Sequence, residues 1–258
     1  MKTKVFSCFA VLAMMLSGCM VATGNNGVSV NNGKDSEATV KKEIKVSAFN
    51  EVKASQGIKV IVSQGKFPGK VSVATTPSAE EYLQVNVTDG TLKVFYDNKA
   101  KEDKKIKGPS IITVTVPELE EADLSSGANL LLKGDFNSNK KMEFDLSSGS
   151  YLKIENLSCS MLSLDASSGA EVTVLNLNGD LDADSSSGSS ISVKEASGRV
   201  FSVDASSGSS ISLKSNKSSE IRAKASSGAS ISLSGHTEKF SKTASSGGSV
   251  NASDLSSK

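Results

Sequence analysis

The sequence predicts an all-β chain folded as a right-handed parallel β-helix, a β-solenoid with coils of about 20 residues. Three observations carry this. Ser-Ser-Gly occurs seven times, ending at Gly127, Gly149, Gly169, Gly188, Gly208, Gly228 and Gly247, at spacings of 22, 20, 19, 20, 20 and 19 residues. So constant a period is the mark of stacked structural units. Around each glycine the pattern alternates: Leu130, Leu152, Val172, Ile191, Ile211, Ile231 and Val250 stand three places after it, with Lys153, Thr173, Ser192, Ser212 and Ser232 in the next column. Leu132, Ile154, Val174, Val193, Leu213 and Leu233 follow at five, and this period of two marks half-buried strands. Finally, Pro68, Pro77, Pro109 and Pro117 all precede the first repeat, so no proline removes a donor from its ladders.

Lys2 and Lys4 precede an apolar run from Val5 to Leu16, followed by Ser17, Gly18 and Cys19. This predicts an export signal over residues 1–18, too short to persist as a spanning helix. Leu16-Ser17-Gly18-Cys19 resembles a bacterial lipobox, which implies cleavage before Cys19 and its acylation. The alternative is an ordinary secretory peptide with an incidental cysteine, and export follows from both. Residues 19–42, rich in Gly, Asn, Ser and charge, predict a flexible tether. Met20 stands where an acidic residue would mark inner-membrane retention, which favours an outer-membrane lipoprotein, on its periplasmic or its cell-surface face. Cys8 leaves with the signal and Cys19 takes lipid, so Cys159 has no partner for an intramolecular disulfide and is expected in the core.

Residues 43–118 read as an N-terminal β region without the strict repeat. Ile58, Val60 and Val62 alternate, as do Val71 with Val73 and Val85 with Val87. Asp89-Gly90 before Leu92 and Val94 predicts a hairpin. Pro77 to Leu83 fits one helical turn, and the lysine-rich stretch 100–108 a solvated loop. Ala54-Ser55-Gln56-Gly57 copies the repeat corner, so this region is expected to continue or cap the solenoid formed by residues 119–258. One coil is apolar on one face only and cannot close a core. Neighbours stacked about 4.8 Å apart satisfy the backbone and bury a shared apolar column.

Phe49-Asn50-Glu51-Val52, Gly57-Ile58-Lys59-Val60, the junction Val116-Pro117-Glu118-Leu119 and the Ser-Gly corners together resemble the auto-transporter adhesin head domain family, also called the head GIN domain, frequent in Bacteroidetes lipoproteins. The resemblance runs from about Phe49 to Val250. It implies a β-helical fold and adhesion, and it brings no catalytic residues.

Two constellations invite a functional reading. Asp123, Asp145, Asp165, Asp184 and Asp204 stand four places before successive glycines and should form an outward acidic ladder. Such a row must be solvated, lysine-paired or cation-bound. The plain reading, a polar column that keeps the face soluble, is preferred, and the glycine turns lack the aspartates of calcium-binding nonapeptide repeats. The serine corners are either a strip for a regular polymer such as a glycan or small residues suited to a tight turn; the second is preferred, because 5% aromatic content without tryptophan gives no sugar-stacking platform.

No cofactor or metal is expected. His236 is the only histidine, and no local motif supports a Ser-His-Asp triad. After signal cleavage 27 basic residues face 28 acidic ones, a balance unsuited to nucleic acid. The expectation is a non-catalytic, adhesin-like binding module of the cell envelope, joined to the membrane by its lipid and to a surface glycan or a protein partner. The alternatives are a periplasmic scaffold and, less favoured, a polysaccharide-active enzyme.

Overall fold

The computed structural model describes residues 40–97, 106 and 108–257. Cys19, the expected signal peptide, most of the expected tether and most of the 100–108 stretch lie outside these residues. In chain order the strands are β1 (Val40–Lys45), β2 (Glu51–Ala54), β3 (Lys59–Gln64), β4 (Lys70–Thr75), β5 (Leu83–Thr88), β6 (Thr91–Tyr96) and β7 (Ile111–Val116). They continue as β8 (Glu121–Leu124), β9 (Asn129–Asn137), β10 (Lys141–Leu146), β11 (Tyr151–Ala166), β12 (Glu171–Ser185) and β13 (Ser190–Ser197). The last six are β14 (Val200–Ala205), β15 (Ser210–Lys217), β16 (Glu220–Ala225), β17 (Ser230–Thr237), β18 (Lys239–Ala244) and β19 (Ser249–Ser257). One short helix, α1 (Pro77–Glu80), follows β4.

The result is a β-solenoid. Each coil is a strand, a Ser-Ser-Gly corner and a second strand. Before the corners, β8, β10, the second half of β11, the second half of β12, β14, β16 and β18 pair in parallel. After them, β9, the first halves of β11 and β12, β13, β15, β17 and β19 do the same. Ser55-Gln56-Gly57 makes a further corner between β2 and β3, which stack on β8 and β9.

The N-terminal region both continues the stack and covers it. The strands β6 and β7 pair in parallel with the opposite edges of β2 and β3, so the coil that comes first in the chain lies between two later ones. Antiparallel partners then close that end: β5 on β6 through the Asp89-Gly90 hairpin, and β4 with β1 on β7.

The corner explains the repeat. The second serine and the glycine both take positive φ, for example 52° at Ser187 and 73° at Gly188. Two consecutive left-handed residues make a I′-like turn, and glycine is the residue that adopts this at least cost. The Ser186 carbonyl accepts a hydrogen bond from the Ser189 amide across the turn, at 3.1 Å. Each corner is then tied to the next coil: the Gly188 amide donates to the Ser207 carbonyl at 3.2 Å, and the same bond recurs from Gly57 to Ser126 through Gly228 to Ser246. The seven glycines therefore line one edge.

Inside, in-register pairing turns each apolar column into a ladder. Ile112, Val60, Leu130, Leu152, Val172, Ile191, Ile211 and Ile231 stack in that order, each at most 1% exposed. Burying such side chains is worth about 1.5–3 kcal/mol each. Cys159 belongs to this core, and burial pushes its thiol pKa up to about 11.

A second tight bend separates the coils. A side chain on Gly198 would strike the Gly179 carbonyl, and one on Gly235 the Ser215 carbonyl. Only the absence of a Cβ lets the backbones approach there. At β18 the pattern changes: Lys242 occupies the register position of the buried Ala223, and its ammonium donates to the Val250 carbonyl at 3.4 Å. A lysine at a core position of an edge strand blunts further stacking.

Ile211→Asp should cost more than about 4 kcal/mol, because an unpaired carboxylate replaces the middle of a dry ladder. The adjacent Ser212→Asp, on the solvent side, should stay within about 0.5 kcal/mol. Urea denaturation of both variants measures the difference, and equal costs would contradict the inward ladder.

Candidate functional site

The outward positions of the strands before the corners place the five aspartates in one row. Asp123 pairs with Asp145, Asp145 with Asp165, Asp165 with Asp184, and Asp184 with Asp204. Lysines bound the row: the Lys53 ammonium lies 3.5 Å from Asp123, and that of Lys224 lies 3.6 Å from Asp204. Between these ends the carboxylates face each other. Burial, then Asp165 and Glu143, push the Asp145 pKa up, and burial, then Asp182 and Asp204, do the same at Asp184. A second acidic row runs beside it through Glu51, Glu121 and Glu143, where burial and Glu51 raise the Glu121 pKa. Asp165, Asp184 and Asp204 edge a shallow groove of about 340 Å³, with Ser186, Ser206 and Ser226 on its corner side. Among the described residues, no group of three or more His, Cys, Asp or Glu side chains is arranged to hold a metal ion.

The corner serines divide into roles that the sequence does not distinguish. The middle serines, Ser126 to Ser246, are all exposed, and the first serine of each corner is half-buried except Ser245 in the last. The residue after each glycine is buried in most coils, and where it is serine its hydroxyl reaches the preceding coil: Ser189 donates to the Ala166 carbonyl at 2.7 Å and Ser209 to the Ser185 carbonyl at 2.6 Å. These serines hold the stack together.

Sequence reasoning missed a third feature, a row of amides on the strands after the corners. Asn156 donates from Nδ2 to Asp135 Oδ1 at 2.9 Å, and Asn176 from Nδ2 to Asn156 Oδ1 at 2.7 Å. Glu195 continues the register and pairs with Lys214 at 2.6 Å. A parallel row two residues on contains Asn178, which donates to Ser158 Oγ at 3.2 Å. Between the rows lie the buried Phe136, Leu157 and Leu177, and together these residues line a groove of about 440 Å³ that spans consecutive coils. The signal is weak because Asn156 and Asn176 stand seven places after their glycines, whereas Asp135 stands eight after Gly127. A bulge at Gly134 (φ 79°) supplies the extra residue.

His236 gives no support to a serine nucleophile. Its Nδ1 lies 3.0 Å from Ser256 Oγ, but that hydroxyl donates to the Gly235 carbonyl at 3.0 Å. The oxygen is left to accept from the imidazole N–H, the reverse of what a general base requires.

The acidic row has a sign that can be tested. A carboxyl with a raised folded-state pKa contributes stability in full below its unfolded value, near 3.8, and loses it as pH rises through the folded value. Asp184→Asn should therefore raise Tm at pH 7, by about 1–3 °C after solvent screening, and the gain should vanish at pH 3. Asp204→Asn removes a carboxylate paired with Lys224 and should give no such gain. Thermal melts at both pH values decide this; destabilisation by Asp184→Asn at pH 7 would contradict mutual repulsion.

No curated protein matches the chain. Several solved structures share its fold. One described as a "putative adhesin" from Bacteroides fragilis is 16% identical, with a TM-score of 0.67 over 85% of this chain and 96% of that one. Another so described, from Parabacteroides merdae, is 15% identical, with a TM-score of 0.58 over 82% and 95%. A "putative lipid binding protein" from Parabacteroides distasonis is 18% identical, with a TM-score of 0.60 over 82% and 95%. A family profile matches residues 48–218 and 181–258, covering most of the chain, and the chain thus belongs to the family described as "Putative auto-transporter adhesin, head GIN domain".

Proposed function

We propose that the chain is a non-catalytic, adhesin-like binding module of the cell envelope, held at the outer membrane by lipid on Cys19 and raised from it by residues 19–42. The observation that carries this reading is the in-register stacking of the strand segments that flank the corners. Outward columns that stay aligned over successive coils present like groups in straight rows, a form suited to an extended polymer or a flat partner surface. The groove-lining groups are amides, carboxylates and hydroxyls in repeated positions, and the single imidazole sits in a structural contact. Membership of a family described as an adhesin head supports the same reading. A surface glycan or a protein at the envelope is the partner class, and the chain's near-neutral charge gives no attraction to nucleic acid.

Two measurements on cells test this. Metabolic labelling with an alkyne fatty acid should mark the wild-type protein and not Cys19→Ser, and the variant should leave the membrane fraction. Proteinase K added to intact cells should cut the chain. Labelling of both proteins, or of neither, would overturn the lipid anchor. Full protection from protease until the outer membrane is breached would overturn the adhesin reading in favour of a periplasmic scaffold.

A further inference from the structure

We propose that the amide-lined groove binds a neutral, hydroxyl-rich polymer, a glycan chain lying across consecutive coils. The proposal rests on the binding-module reading and names its site and ligand class.

The lining chemistry selects the ligand. A primary amide offers two N–H donors and a carbonyl acceptor. Asn156 and Asn176 each commit one N–H to the neighbouring coil, which leaves a second N–H and acceptor capacity facing the groove. Sugar hydroxyls donate and accept, so they match such a surface where a purely anionic or cationic ligand satisfies half of it. Of the charges at the ends, Glu195 is paired with Lys214, and Asp135, which accepts from Asn156, keeps its negative charge and so disfavours an anionic ligand. The acidic row on the other strands, by contrast, keeps uncompensated carboxylates in its middle.

The ladder bonds also fix the amide rotamers before any ligand arrives, which lowers the entropy lost on binding. The volume of about 440 Å³ falls within the range of small-molecule sites, about 300–1,000 Å³, and the lining continues from Asp135 through Asn156 and Asn176 to Asn216, so a polymer laid across it meets several coils. The buried Phe136 offers no stacking face, so affinity comes from repeated hydrogen bonds and from several coils acting together.

The full-length protein in detergent, passed over immobilised mannan, dextran, laminarin and xyloglucan with alginate and heparin beside them, tests this by biolayer interferometry. At least one neutral polysaccharide should be retained, and Asn156→Ala with Asn176→Ala should weaken that binding roughly tenfold or more, the loss expected from two hydrogen-bonding groups. Asp165→Asn with Asp184→Asn should leave it unchanged. If the double alanine variant fails to fold, Asn178→Ala on the opposite rim should weaken binding in its place. Unchanged neutral-glycan binding by the folded groove variants would overturn the groove while leaving the binding-module reading intact. Retention of the anionic polymers alone, or of none, would overturn the ligand class, and the protease and fatty-acid tests would still decide the broader reading separately.

Discussion

The structure depends on the two-residue left-handed corner and the backbone bond it sends to the next coil. With the second serine and the glycine both at positive φ, the glycine amide points along the stack and meets a serine carbonyl near 3.0–3.2 Å. Repeated from Gly57 to Gly228, this bond sets the register between coils, and the strands on both sides inherit it. A one-residue slip would turn each inward side chain outward. Such a slip is opposed by every ladder at once, which is why short coils with narrow cores can form an ordered array.

That register has opposite consequences on the two outer surfaces. Where carboxylates are stacked, each meets its own kind at a spacing of about 4.8 Å, and burial first, then the neighbouring carboxylates, raise the pKa values of Asp145 and Asp184. Where amides are stacked, the same spacing lets donor meet acceptor, and Asn176, Asn156 and Asp135 form a bonded chain. Stacking identical groups is unfavourable for a charge and favourable for an amide. The acidic row therefore needs solvent and its terminal lysines, whereas the amide row is self-supporting and holds its remaining donors and acceptors in fixed directions.

Much of the fold was legible because the sequence repeats its own local rules. The corner glycines, the alternation after them, the Asp89-Gly90 hairpin and the diverged corner at Gly57 all rest on short-range geometry, and each stands where expected. The aspartate row was legible for the same reason: a fixed offset from the glycine places a residue on a fixed face. What escaped depends on contacts between distant segments. Nothing local shows that β2 and β3 are flanked by the later strands β6 and β7 on one side and β8 and β9 on the other. The amide row was hidden by the bulge at Gly134, which breaks the count from the glycine. The roles of Gly198 and Gly235 appear only when the neighbouring coil's carbonyl is in place, and serine after the glycine looks like any small residue until its hydroxyl finds the preceding coil.

The central claim is that coils are equivalent rungs joined in register, and excision of one period tests it most directly. Removing residues 189–208 joins Gly188 to Ser209 with the corner, columns and outer rows still in phase. Circular dichroism with thermal unfolding should show a folded β protein that melts cooperatively, a few degrees below the parent, while removal of residues 189–198 alone should abolish the transition. A full-period deletion as damaging as the half-period one would contradict the account.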